Sequence, residues 1–199
     1  YERVNQKFCE EVEASANPED SIWIHDYQLL LLPGLIREQL PDVSIGFFLH
    51  IPFPSFEVFR LLPWRRQLLD GVLGSDLIGF HTYDDMRHFL SAVSRICFIS
   101  NQHGELNKDG RTVEVDSFPM GIDYEKYALS SASPDSLSKE VKYRTSLWGQ
   151  KLMLSIDRLD YSKGIPARLE IFDLFLEKYP QYVGKVSLMM VVVPSRDTV

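Results

Sequence analysis

Short apolar runs that stop on a polar side chain and give way to helical spacing recur along this chain, and they restrict its fold more than any other feature. Ser21-Ile-Trp-Ile-His25, Ser44-Ile-Gly-Phe-Phe-Leu-His50, Asp76-Leu-Ile-Gly-Phe-His81 and Lys151 to Ile156 are runs of this kind. Each is too short for a helix and is followed by apolar positions three and four residues apart. Strands alternating with helices call for a mostly parallel sheet with helices on both faces, an α/β fold.

The intervening segments fit that scheme. Tyr1 to Ala16 reads as a helix with Val4, Phe8 and Val12 on one face, and Asn17-Pro-Glu-Asp-Ser21 is turn chemistry. A helix through Leu35, Ile36 and Leu40 ends at Pro41-Asp42, and helical spacing resumes from Glu57 to Val72. Another helix runs from Tyr83 to about Ile96, after which Cys97–Ser100 reads as a further strand. Asn107-Lys-Asp-Gly110 is a hairpin turn leading into Thr112–Phe118. Met120 to Pro134 has no long apolar run, Leu137, Val141 and Leu147 mark a helix ending at Gly149, and the strand–helix–strand pattern restarts at Lys151 and ends in Val186–Val193. Residues 1–122 and 150–199 are therefore expected to belong to separate domains, with 123–149 as the passage between them.

A formal net charge of −7 and the lack of any Lys/Arg-rich run argue against a nucleic-acid partner. The longest apolar runs, Leu29–Leu32 and Met189–Val193, are too short to span a bilayer. Cys9 and Cys97 lack metal-ligand spacing, and a pair of thiols with no disulfide framework suits a reducing, cytoplasmic setting. The chain opens on Tyr1 without a signal peptide and stops soon after a strand, so it reads as a piece of a longer protein.

The densest polar chemistry lies in Leu154-Ser-Ile-Asp-Arg-Leu-Asp-Tyr-Ser-Lys-Gly-Ile-Pro-Ala-Arg168. Arg158 and Lys163 fall between a strand end and a helix start, with Pro166 suited to the first helical position. A guanidinium fork beside a mobile ammonium suits a diphosphate. The plainer alternative is that Asp157, Arg158, Asp160 and Lys163 pair with one another in a solvated loop. His25, His50 and His81 each end a strand, which raises zinc, yet they lack close helical spacing and parallel strand ends spread along a sheet edge, so no metal is expected. Asp26 and His50 stand out instead, because Ile51-Pro-Phe-Pro54 pre-sets the backbone after His50. For each, a strand-capping carboxylate or a packed imidazole is the plainer alternative. No GxSxG, GxGxxG or P-loop occurs, which weakens nucleophilic-triad, NAD and ATP readings.

Taken together, His25-Asp-Tyr-Gln-Leu29, Ile45-Gly-Phe-Phe-Leu-His-Ile-Pro-Phe-Pro54, Phe118-Pro-Met-Gly-Ile-Asp123 and Asp157-Arg-Leu-Asp-Tyr-Ser-Lys-Gly164 resemble the trehalose-6-phosphate synthases, and Asp76–His81 and Pro194-Ser-Arg196 match as well. The likeness runs from about Ser21 to the end. It implies the GT-B architecture of retaining glycosyltransferases, two Rossmann-like doubly wound domains, with this chain an incomplete fragment of both. Residues 1–122 would be the C-terminal part of the acceptor-side domain and 150–199 the start of the nucleotide-sugar domain. The implied reaction moves glucose from UDP-glucose to glucose 6-phosphate with retention, making α,α-trehalose 6-phosphate without a metal or other cofactor.

By motif, the resemblance gives Asp26 the acceptor hydroxyls, His50 the transferred glucose, Arg158 and Lys163 the donor diphosphate, and Arg196 the phosphate of glucose 6-phosphate. The family's amino-terminal arginine with its glycine-rich loop, and its acidic donor-ribose motif, fall outside residues 1–199, so the segment alone is expected to be inactive. A non-catalytic, sugar-phosphate-binding regulatory relative and another GT-B sugar transferase are the alternatives. A homo-oligomer and a fused trehalose-phosphate phosphatase domain are left open.

Overall fold

The strand-then-helix spacing produces an α/β fold in the computed structural model, which describes residues 1–194. The chain divides into two units, one of residues 1–121 and one from Ile122 onward.

In chain order, the first unit comprises α1 (Glu2–Ser15), β1 (Ser21–His25), α2 (Leu32–Gln39), β2 (Ser44–Leu49), α3 (Phe56–Phe59), α4 (Arg65–Val72), β3 (Leu77–Phe80), α5 (Tyr83–Cys97), β4 (Asn101–Gln102), β5 (Glu105–Lys108) and β6 (Arg111–Ser117). The sheet order is β1-β2-β3-β6-β5-β4. β1, β2, β3 and β6 are parallel, while β4 and β5 add antiparallel pairs at one edge. The expected hairpin joins β5 to β6 through Asp109-Gly110, both at positive φ (55° and 84°), as a tight two-residue turn between right-twisted strands requires.

Phe47, Ile45, Ile78, Phe80, Phe89, Val113 and Val115 are fully buried, and they come from β2, β3, β6 and α5. Each such phenylalanine contributes on the order of 1.5–3 kcal/mol over an exposed ring. α2 and α4 approach so closely that a Cβ on Gly34 would sit 3.1 Å from the Cα of Gly71. Just before β3, Asp76 accepts from Arg37 at 2.7 Å, from Arg111 at 3.1 Å and from the Ile45 N–H at 2.8 Å. Burial, reinforced by the neighbouring Arg37 charge, pushes the Arg111 guanidinium below its usual range, and Asp76 offsets only part of that cost.

The structure departs from the sequence reading in places that have plain causes. Glu57–Val72 is not one helix. Pro63 cannot donate to a helical bond and disfavours helical backbone at Leu62, so the segment breaks into α3 and α4. Cys97–Ser100 is not a strand. The apolar face of α5 continues through buried Val93 to Cys97, Phe98 turns left-handed at φ 60°, and β4 starts only at Asn101.

The second unit holds α6 (Tyr124–Ser131), α7 (Pro134–Ser146), β7 (Lys151–Arg158), α8 (Ile165–Lys178) and β8 (Val186–Val193). Asp123 and Ser133 cap α6 and α7, accepting from the Lys126 and Ser136 N–H groups at 3.0 and 3.3 Å. β7 runs two residues beyond Ile156, because Asp157 and Arg158 stay in parallel register with Val192 and Val193 of β8. Pro166 occupies the second helical position of α8, after Ile165, with Gly164 as the left-handed N-cap. No described residue of this unit is fully buried, and Leu154, Ile156, Leu169, Ile171 and Leu174 are exposed. No helix among the described residues is long and apolar enough to cross a membrane.

Candidate active site

β1, β2 and β3 run parallel and in register, so their carboxyl ends deliver His25-Asp26, His50 and His81 to one sheet edge, the side on which open α/β sheets bind ligands. The three histidines were expected to spread along that edge. They form a row along it, spaced about as far apart as the neighbouring strands that carry them. His25 Nδ1 lies 2.9 Å from His50 Nε2, and the His50 and His81 ring centroids are 5.5 Å apart. The Phe48 ring packs into this row, 4.9 Å from both the His50 and His81 rings. Gly79 makes room for it, since a Cβ there would fall 2.6 Å from Phe48 Cδ2. Even so, among the described residues no three His, Cys, Asp or Glu side chains form a group that could hold a metal ion.

Asp26 has φ 73° and ψ 171°, a region populated almost only by glycine and costing another residue about 1–3 kcal/mol. Local bonds hold it there. Its N–H donates to Phe48 O at 2.8 Å, its carbonyl accepts from the Leu29 N–H at 3.2 Å, and its carboxylate accepts the His50 N–H at 3.3 Å. α1 braces the turn that follows: Asn5 Nδ2 donates to Gln28 O at 3.0 Å, and the Tyr1 hydroxyl accepts the Leu30 N–H at 3.0 Å. The strain thus fixes a half-buried carboxylate beside an exposed imidazole. Sequence reading selected Asp26 and His50 but had no signal for this backbone state.

The loop after His50 is more firmly held than its prolines alone would ensure. Phe53 is buried against Phe59, Phe80 and Phe89, at centroid distances of 4.9, 6.2 and 5.4 Å. Its N–H donates to Asp85 Oδ1 at 3.0 Å, and its carbonyl lies 3.2 Å from His88 Nδ1, both on α5. Asp85 also accepts the hydroxyl of Thr82, the N-cap of α5, at 2.6 Å. Asp85 and His88 were missed in the sequence; the Thr82-x-x-Asp85 capping pattern was the available signal. Asp85→Ala should lower stability by about 1–2 kcal/mol, since it strips the acceptor from the Phe53 N–H and part of a helix cap. Asp85→Asn, which keeps an acceptor oxygen, should recover most of the shift in urea midpoint.

On the second unit, Arg158 closes β7 and is exposed, while Lys163 ends a single 3-10 turn (Tyr161–Lys163) just before α8. Among the described residues, Asp157 does not pair with Arg158 or Lys163 as the plainer alternative had it. Asp157 is bound by Arg168 at 2.6 Å, and Arg168 also donates to the carbonyl of Lys163 at 2.9 Å and to Ser155 Oγ. Asp160 accepts from the N–H and hydroxyl of Ser162 at 2.9 and 2.8 Å. Among the described residues, neither Arg158 nor Lys163 has an acidic side chain within ion-pair distance. Arg168 was read only as part of the helix, although it organises the loop. Arg196 lies outside the described residues. Cys9 and Cys97 are buried and unpaired, and burial raises both thiols, with Glu13 and Asp70 respectively adding to the effect.

The family model of glycosyltransferase family 20 matches residues 1–199. The chain belongs to that family. The resemblance seen in the motifs is borne out. An alpha,alpha-trehalose-phosphate synthase [UDP-forming] of Pichia angusta is 46% identical over all of this chain, and the corresponding 56 kDa subunit of Saccharomyces cerevisiae is 42% identical. These alignments cover only 43% and 41% of the two relatives, so the chain spans less than half their length. Among solved structures, a trehalose-6-phosphate protein from E. coli bound with UDP-2-fluoro glucose is similar at 34% identity and TM-score 0.78, over 99% of this chain and 44% of that one. The N-terminal domain of Candida albicans trehalose-6-phosphate phosphatase is similar at 40% identity and TM-score 0.79, over 97% and 42%. Within family 20, the α/β fold with its parallel sheet matches GT-B structures.

Proposed function

We propose that the whole protein is a UDP-forming α,α-trehalose-phosphate synthase, transferring glucose from UDP-glucose to glucose 6-phosphate with retention. The observation that carries this reading is Asp26, held in a glycine-type backbone conformation beside His50 at the carboxyl ends of parallel strands in a family 20 chain. Strain of that kind persists where the surroundings over-determine it, and it gathers at ligand-binding sites.

In this reading Asp26 accepts hydrogen bonds from acceptor hydroxyls and His50 lies against the glucose being moved. Arg158 and Lys163 hold the donor diphosphate, where they stabilise the charge that grows as UDP departs. Arg196 grips the acceptor phosphate. Retention proceeds by front-face departure and attack, with the leaving phosphate helping to take the acceptor proton. Nothing in the chain's motifs nominates the flanking carboxylate pair that a retaining glycosidase uses. The cytoplasmic setting, suggested by the free thiols, belongs to the same proposal. The likeness to the Candida phosphatase N-terminal domain also fits a whole protein that carries a fused phosphatase domain.

The test is a coupled assay on the whole protein. UDP should be released only when UDP-glucose and glucose 6-phosphate are both present, in EDTA as well as without it, and the product should carry two α-anomeric centres by NMR. Sugar-phosphate binding without UDP release would establish the regulatory alternative. An EDTA-sensitive enzyme restored by zinc would return the strand-end histidines to metal binding.

A further inference from the structure

We propose that His25 is a positioning residue for His50, fixing the direction and tautomer of its imidazole through a ring-to-ring hydrogen bond. This rests on the reading above, in which His50 touches the transferred sugar.

Nδ1 of His25 and Nε2 of His50 are 2.9 Å apart, a hydrogen-bond distance. Two neutral imidazoles at that distance share one proton in the gap: one ring nitrogen donates its N–H and the other accepts. Each ring's second nitrogen must then complement the shared one, so the tautomers are linked, and the group that His50 turns toward a ligand is set from His25.

The other described neighbours of His50 cannot do this. Phe48 and His81 touch its ring at centroid distances of 4.9 and 5.5 Å in tilted and edge geometries, which limit the ring plane without selecting a tautomer. Asp26 binds the His50 backbone N–H and leaves the ring nitrogens alone. His25 is itself well placed to steer. It ends β1 in register with Phe48, and the next residue, Asp26, donates its N–H to Phe48 O at 2.8 Å. Its ring also rests 5.9 Å from Trp23. Two flexible side chains are thereby reduced to one defined polar direction, as near-attack positioning requires.

The experiment compares His25→Phe, His25→Asn and His50→Ala in the whole protein. Phe keeps a ring without a nitrogen, whereas Asn places a polar atom close to where Nδ1 stood. His25→Phe should lower kcat by about tenfold or more, because a modest misplacement of a reacting group has effects of that order. Its KM for UDP-glucose and its UDP affinity by calorimetry should stay within about twofold, showing an intact fold and donor site. His25→Asn should restore most of kcat, and the His50 ring-nitrogen shifts in 15N NMR should move in the Phe variant and return in the Asn variant.

If His50→Ala abolishes transfer while His25→Phe is indistinguishable from the parent, the positioning role is overturned and the sugar-site reading stands. Equal losses in the Phe and Asn variants would also overturn it, by assigning the effect to ring packing. If His50→Ala leaves transfer intact, the assignment of His50 falls and takes the role of His25 with it.

Discussion

Lys163→Ala in the whole protein is expected to weaken UDP binding by about 10- to 100-fold, the range lost with a hydrogen bond to a charged group. The local arrangement is the reason. A diphosphate needs cations that are not already neutralised, and the acid next to Arg158 in sequence, Asp157, is bound by Arg168 at 2.6 Å. Arg168 also ties down the Lys163 carbonyl, which fixes the backbone from which the ammonium projects. Gly164, left-handed at φ 61°, then lets α8 begin at once, so Lys163 stands at a helix N-terminus where an anion is favoured. Arg158→Ala should cost more in kcat than in binding, by about 10²- to 10³-fold, if its fork meets charge that develops only as UDP leaves. Calorimetry with UDP and steady-state rates would separate the two. Unchanged UDP affinity in both variants would remove the diphosphate assignment.

Phe53→Ala should be the most destabilising single change near the strand-end site, at about 3–5 kcal/mol. The ring is 7% exposed and packs on Phe59, Phe80 and Phe89, so truncation opens a cavity among side chains from α3, β3 and α5. The backbone of Phe53 is bonded to Asp85 and His88, so the loss would reach the loop that follows His50. A lower urea midpoint with an unchanged slope would report the stability change. In the surviving folded enzyme, kcat should fall more than the affinity for UDP. Phe53→Leu, which fills most of the volume, should be much milder. A loss under about 1 kcal/mol for Phe53→Ala would mean that the backbone bonds alone hold the loop.

The strands and the hairpin were legible in the sequence because they depend on short-range chemistry. Ser44 to His50 and Asp76 to His81 read as strands from composition and spacing, and the structure forms β2 and β3 within them, while Asp109-Gly110 specified its turn through the positive φ values such residues tolerate. The break at Pro63 was equally local but was outweighed by the leucine spacing on either side of it. Cys97–Ser100 misled because an apolar helix end and a short strand have the same composition.

For the site, the sequence by itself determined which polar residues stand at strand ends, since strand length and the following helix start fix Asp26, His50, Arg158 and Lys163 at those places. The tertiary structure alone decided what they meet. The backbone conformation of Asp26 follows from bonds to β2, the His25–His50 contact from parallel register across β1 and β2, the anchoring of Phe53 from α5, and the capture of Asp157 by Arg168 from the first turn of α8. Spacing along one strand or helix governs which way a residue faces. The distance between groups on different elements depends on packing and register, and only the folded chain fixes those.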